Sequence, residues 1–413
     1  MSGTAAPALV LDLSRLLARA GRLPTGVDRV ELAYLRHFIG LDRPVFALAR
    51  TAYGYVLLDR AGMQAMLARF AGTVPFGGVD LLSRLRPGLG LAGQAAQSDI
   101  RRMALARALP HRLGPMLAKH LPRGCHYFNT GHSNLSHRVL RALQLHLDAR
   151  VLVMVHDTIP LDFPQFQRPG SPQAFAAMLG RVRESADVIL CNSHQTMADI
   201  ARHTPQGAGL PRCVVAPLGV DLPAPATTWP KPAALVPGRP YFMTIGTIEP
   251  RKNHAFLLQI WAEMAQQAGP LPALLICGAR GWNNDQVFAQ LDRHPMMGQH
   301  VFELNGLSDA QMAAALQGAA GLLHPSHAEG YGLPPVEAAA MGVPVVCAAL
   351  PIYREILGQI PVYAEPQSIY SWIETIRALA GNRAKDGAQG QPCPPFSPPT
   401  WQAHFNVSLN TMA

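Results

Sequence analysis

The chain reads as an α/β protein in which two Rossmann-like, doubly wound domains face a central cleft. Three observations predict this. At 413 residues the chain is too long for one ordinary hydrophobic core. Short apolar runs alternate with amphipathic, Ala/Leu/Arg-rich segments, the pattern of parallel strands covered by helices on both faces. Near the middle, "LPAPATTWPKPAALVPGRP" (222–240) is rich in proline and alanine and lacks periodicity, so it reads as a linker. The expected divisions are a first domain over 1–222, a linker over 223–240, a second domain over 241–385 and a tail over 386–413.

In chain order, the strand candidates of the first domain are 8–13, 43–48, 54–59, 125–130, 150–157, 187–194 and 212–219. Helical patterns such as 97–120 and 134–149 lie between them. The second domain repeats the scheme with strands at 241–246, 273–278, 301–304, 321–326, 343–348 and 361–364. Its helices are expected near 253–268, 284–292, 309–318, 335–341 and 367–380. A Gly/Pro-rich connector (381–400) then leads to a short amphipathic segment (401–412) that must dock somewhere. Ligands of such folds bind at the carboxyl ends of the strands, so the loops there hold the candidate site residues.

Hydrophobic residues at 49% and charged residues at 15% describe a globular protein with ample core. No run of eighteen apolar residues is present, so a spanning helix is not expected. The apolar stretch near the start is broken by Asp12, Arg15 and Arg19 and reads as a first strand rather than a leader. Six cysteines without CxxC spacing suit a reducing cytoplasm better than disulfides or zinc. The "NVS" sequon at 406–408 carries no meaning without a secretory leader. Charge is uneven: residues 1–225 hold 25 Lys and Arg against 14 Asp and Glu, whereas 226–413 hold 10 against 12. The basic first half suits an anionic membrane surface or a phosphorylated acceptor. An arginine-rich base bias gives the same sum. No dense basic run or aromatic-interleaved patch points to nucleic acid.

Five short stretches carry the candidate chemistry. In "EGYGLPPVE" (329–337), Pro334 and Pro335 place Glu329 in a loop and Glu337 in the first turn of a helix that ends at Gly342. The glycines allow close backbone approach, and a helix start attracts phosphate. For Glu337 alone, a carboxylate facing the helix dipole is the favoured reading. In "IGTIEPRKNH" (245–254), a strand ends at Gly246, and Arg251 and Lys252 follow at a helix entry with Asn253 as possible N-cap. A fork and a point charge side by side suit a diphosphate. "VMVHDTIPLDF" (153–163) delivers His156 and Asp157 at a strand end, placed for a sugar hydroxyl or a proton relay. "YFNTGHSNL" (127–135) offers Asn129 and His132 in a polar loop, and "LPTGVDRVE" (23–31) offers Thr25 and Gly26 before a helix. No HxxxH, HxH, DxD or P-loop pattern occurs, and no GxGxxG opens a βαβ unit with an acidic residue at the expected distance, so no metal or nicotinamide site is expected.

Together, "GTIEPRKNH", "HPSHAEGYGLPPVEAAAMGVPVV" and "NSHQTMADI" resemble the retaining glycosyltransferases of family 4, the glycosyl transferases group 1, which have a GT-B fold. The two glutamates match that family's E-x7-E motif. The resemblance is densest over 240–358 and implies a nucleotide-sugar donor, no metal or other cofactor, and a tail that crosses back to the first domain. It implies that Arg251 and Lys252 bind the donor diphosphate, Glu329 the sugar and Glu337 the ribose. The implied donor-binding set is completed by Gly26, Gly246, Gly330, Tyr331, Gly332 and Leu333. His156 and Asp157 would stand at the reacting centre, and Thr25, Asn129 and His132 on the acceptor side. Where many members carry a more Gly-rich first loop, this chain has "TGVDR". The expected activity is transfer of a hexose, mannose from GDP-mannose, to a lipid-linked or oligosaccharide acceptor. Surface polysaccharide or lipopolysaccharide synthesis at the cytoplasmic face of a bacterial membrane is the expected setting. A nucleotide-sugar epimerase or hydrolase, or a non-catalytic sugar-nucleotide binder, would use the same cleft.

Overall fold

The computed structural model describes residues 6–365, 368–386 and 396–412. The first sheet contains β1 (Leu9–Asp12), β2 (Val45–Thr51), β3 (Gly54–Leu58), β4 (Ala106–Ala108), β5 (His126–Asn129), β6 (Arg150–Val155), β7 (Val188–Cys191) and β8 (Arg212–Val215). Their order is β4-β3-β2-β1-β5-β6-β7-β8. The second sheet holds β9 (Tyr241–Ile245), β10 (Ala273–Cys277), β11 (Val301–Leu304), β12 (Gly321–His324), β13 (Val345–Cys347) and β14 (Val362–Tyr363). It runs β11-β10-β9-β12-β13-β14 with every pairing parallel. This is the doubly wound pair of domains read from the sequence.

The first sheet departs from the all-parallel expectation. β3 pairs antiparallel with both β2 and β4, so one edge is a meander. β4 and two helices, Gly90–Arg102 and Leu113–His120, replace the single helical pattern expected over 97–120. Helix Ile369–Asp386 also runs past its expected end at 380, into the connector. Residues 387–395 of that connector lie outside the described residues.

Successive residues of β1 face opposite layers, as a strand's period of two requires. Leu9 and Leu11 pack with Phe38 and Phe128, while Val10 packs with Leu57 and Tyr127 on the other side. The Leu9 layer continues without a break into the second domain through Tyr331, Tyr353 and Met243. Helix Trp401–Asn410 lies on the first domain: Tyr34 Oη and His404 Nε2 are 2.8 Å apart, and Phe405 stacks on His37 at 3.8 Å between centroids. The chain therefore crosses back onto the first domain. No described helix is long and apolar enough to cross a membrane.

Candidate active site in the cleft

The second-domain wall is built from the carboxyl ends of β9 and β12. After β9 the chain turns at Gly246, whose φ of +137° favours glycine. A Cβ there would lie 3.3 Å from Lys252 Cε, so the missing side chain lets the lysine lie across the strand end. The turn Pro250–Lys252 then presents both cations ahead of helix His254–Gln266. Arg251 Nε bonds Glu249 at 2.7 Å, and its Nη1 bonds Glu329 at 2.8 Å and the Ala328 carbonyl at 2.9 Å. Lys252 Nζ reaches the other Glu329 oxygen at 2.5 Å, and His324 Nε2 stands 3.0 Å from that same oxygen.

This cluster is buried, and burial sets its electrostatics. Desolvation alone would raise the pKa of Glu329, but Arg251 and Lys252 hold it well below the usual carboxylate range. Burial lowers Lys252, with Glu329 opposing the shift. Burial raises Glu249 despite its two cationic neighbours, so Glu249 gives up its charge more readily than Glu329. His324 is pushed down to about 4 by burial and by Lys252, and is neutral near pH 7. Glu249 and His324 were not singled out in the sequence. Glu249 sits inside the quoted "TIEPRKN", so an acidic residue two positions before the arginine was the available signal.

The loop after β12 differs from expectation at one point. Helix Leu333–Ala340 starts two residues early, with Gly332 at φ +85° as its N-cap. Pro334 and Pro335 fit its first turn because the N–H groups they lack have no helical partner there. Glu337 consequently opens the second turn instead of lying in the first. The prolines also remove two of the donors that a helix start would offer an anion, leaving the backbone N–H of Leu333 and of the loop before it. A Cβ on Gly332 would come within 2.3 Å of the Tyr353 ring.

The first-domain wall meets this loop directly. A Cβ on Gly330 would lie 2.8 Å from Asp157 Oδ2, so the loop backbone rests against that carboxylate. Asn192 Nδ2 donates to the carbonyls of His156 at 2.8 Å and Gly330 at 3.3 Å, tying the walls together. Burial raises Asp157, with Arg251 opposing. His156 Nε2 donates to the Thr130 carbonyl at 2.7 Å, which leaves Nδ1 as the ring's acceptor. Burial pushes His156 to about 4 and His132 to about 3. The two rings lie 5.2 Å apart. Gly26 opposes Leu333: a Cβ there would be 3.4 Å from Leu333 Cδ1. One turn on, Arg29 spans the cleft to Glu337 and to Asp309, both at 2.8 Å. Burial raises Glu337, and Arg29 opposes this.

The structure thus gathers Gly246, Arg251, Lys252, Glu329, Gly330, His156 and Asp157 at one place, and Gly26, Leu333 and Glu337 one turn away. Three expected ligands have polar groups engaged elsewhere, although the buried Asn129 Oδ1 has no partner. Thr25 donates through both its N–H and hydroxyl to Asp28, each at 2.7 Å, as the cap of helix Gly26–Gly40. Asn129 is fully buried and bonds Ser133 and Tyr127. Tyr331 donates its hydroxyl to the Leu218 carbonyl at 3.1 Å and acts as an interdomain strut. Missed entirely was an acidic pair behind the cleft. Asp12 accepts from Tyr127 and Asn134, and Glu31 accepts from the Leu16 N–H with its second oxygen unpartnered. Burial raises both, Glu31 strongly. Among the described residues, no group of three or more His, Cys, Asp or Glu could hold a metal ion.

Residues 226–387 match the model of the glycosyl transferases group 1. The serotype-specific mannosyltransferase WbdA of Escherichia coli is 33% identical over 215 residues, which cover 49% of this chain and 26% of WbdA. The O-antigen chain mannosyltransferase B of Escherichia coli is 33% identical over 129 residues, 31% of this chain and 34% of that protein. The chain therefore matches only about a quarter to a third of these relatives' length. Anabaena HepE, solved with UDP-glucose, superposes with a TM-score of 0.61 at 13% identity, covering 98% of this chain and 99% of HepE. Sucrose-phosphate synthase from Thermosynechococcus elongatus superposes at 0.59 and 16% identity, with 98% of each chain covered. The two-domain architecture is a GT-B fold, and over residues 226–387 the chain is similar to the glycosyl transferases group 1.

Proposed function

We propose that this chain is a retaining, metal-independent family 4 glycosyltransferase. It moves a hexose, mannose from GDP-mannose, onto a lipid-linked or oligosaccharide acceptor for a bacterial surface polysaccharide, at the cytoplasmic face of the membrane. The observation that carries this reading is the buried Arg251–Lys252–Glu329 cluster facing Asp157 across the cleft. The mannosyltransferase relatives support the choice of sugar.

Breaking the bond from the sugar to a nucleoside diphosphate leaves charge on the departing phosphate as the sugar becomes oxocarbenium-like. Arg251 and Lys252 stabilise that charge from fixed positions, so little reorganisation accompanies the reaction. Glu329 holds both cations in place before the donor arrives and lies where its oxygens meet the sugar's hydroxyls. Glu337 takes the ribose in exchange for Arg29. The acceptor hydroxyl enters from the first domain, beside His156 Nδ1 and Asp157, and passes its proton to the leaving phosphate on the same face. Configuration is thereby retained.

Incubating the full chain with GDP-mannose and a polyprenyl diphosphate-linked oligosaccharide, then reading the new anomeric proton by NMR, tests this reading. An α-mannosyl product is expected. A β product, or free mannose formed equally fast without acceptor, would overturn it.

A further inference from the structure

The transfer chemistry makes no use of one projecting face of the first domain. Leu81, Leu85 and Leu91 are 78%, 69% and 79% exposed, and Leu82 and Leu89 are exposed beside them. These five leucines fall within eleven residues, on the short helix Leu81–Arg84 and its C-cap Leu85, the turn Pro87–Leu89 and the start of helix Gly90–Arg102. Arg84 and Arg86 are exposed among them. The base beneath is rigid. Asp80 accepts from the Ser83 N–H at 2.8 Å and from Arg101 at 2.6 Å, and Ser98 bonds Ser83 at 2.9 Å. So dense an apolar cluster in water marks an interaction site.

Charge says what covers it. Residues 60–112 contain eight arginines and two aspartates. Both aspartates are engaged internally, Asp80 by Arg101 and Asp99 by Arg69 and Arg102. Exposed Arg84 and Arg86 make the face apolar and cationic, and its aromatic neighbour, Tyr53, is tied down by the Leu82 carbonyl and lies under Arg86. A cavity of about 350 Å³ lined by Leu16, Arg19, Arg22, Phe70 and Phe76 opens beside it. Its rim touches the leucine face at Gly21, where a Cβ would come within 2.3 Å of Ala92 Cβ.

We infer that this leucine–arginine face seats the enzyme on an anionic lipid bilayer, with the leucines at the headgroup–acyl boundary and Arg84 and Arg86 on lipid phosphates. The inference deepens the lipid-linked acceptor of the proposed function and gives it a route from the bilayer along the neighbouring cavity. Co-sedimentation of the full chain with vesicles of phosphatidylglycerol and phosphatidylcholine, or of phosphatidylcholine alone, tests it without any sugar transfer, so the two readings fail separately. The parent chain is expected to sediment with the anionic vesicles and to be released by about 0.5 M salt. The Leu81→Ser/Leu85→Ser/Leu91→Ser variant should bind them about tenfold more weakly or less, and Arg84→Ser/Arg86→Ser should lose the anionic preference. Unchanged circular dichroism melting in both variants separates this loss from misfolding. A parent that stays in the supernatant, a triple-leucine variant that sediments like the parent, or a parent dimer dispersed by those substitutions would overturn it.

Discussion

Lys252 owes its position to Gly246 and its charge to Glu329. Arg251, Lys252 and Glu329 were legible as candidate ligands because cations at a strand end and a carboxylate between glycines have few structural roles. That Glu329 holds both cations was not legible, because 77 residues separate Lys252 from Glu329 and spacing says nothing about contact at that range. Glu249 separates two roles that look alike on paper. Both glutamates pair with Arg251, but burial raises Glu249 whereas the paired cations lower Glu329. Glu249→Gln should therefore keep kcat/KM within about threefold of the parent, whereas Glu329→Gln should lose about 100-fold or more. Steady-state kinetics with GDP-mannose checks both.

Among the elements, helix Leu333–Ala340 is proposed to position the nucleotide end of the site, and its start depends on the backbone at Gly332. Alanine there meets both a left-handed φ of +85° and the Tyr353 ring. Gly332→Ala should cost about 1–3 kcal/mol of stability and raise the KM for donor while Gly298→Ala, also at positive φ but in open space, leaves KM unchanged. The tail helix carries Phe405, its largest buried apolar side chain, which is 4% exposed. Phe405→Ala should lose about 3–5 kcal/mol, read as a lower urea midpoint of the first domain. Most elements were legible from alternation and turn residues. β4 was not, because three residues of "ARA" with alternating partial exposure look like the helical composition on either side. The antiparallel pairing of β2 with β3 lacked an Asn-Gly turn to announce it: the two-residue loop is Ala52-Tyr53.

At the scale of the whole molecule, the cleft is closed by side chains from both walls. Arg29 bridges to Glu337 and Asp309, and Glu355 accepts from the His194 and Gln195 N–H groups at 2.7 and 3.0 Å. None of these pairings could be read from one sequence, because each joins residues more than 150 positions apart. Burying neutral histidines at this closure makes stability depend on pH. His132, His156, His254 and His324 fall from an ordinary 6.5 to about 3 or 4, chiefly through burial. Below pH 6.5 the unfolded chain takes up protons that the folded one refuses, so stability is full above pH 6.5 and lost as pH falls toward 4. Urea midpoints should drop steadily across that window, and less steeply in His254→Phe.

The central claim is that the Arg251–Lys252 pair holds the diphosphate of a nucleotide sugar. Calorimetric titration of GDP-mannose into the parent chain and into Lys252→Ala tests it most directly. Saturable binding by the parent is expected, with at least about tenfold weaker binding by the variant, given the worth of a charge-assisted hydrogen bond. Equal affinities in the two proteins would contradict it.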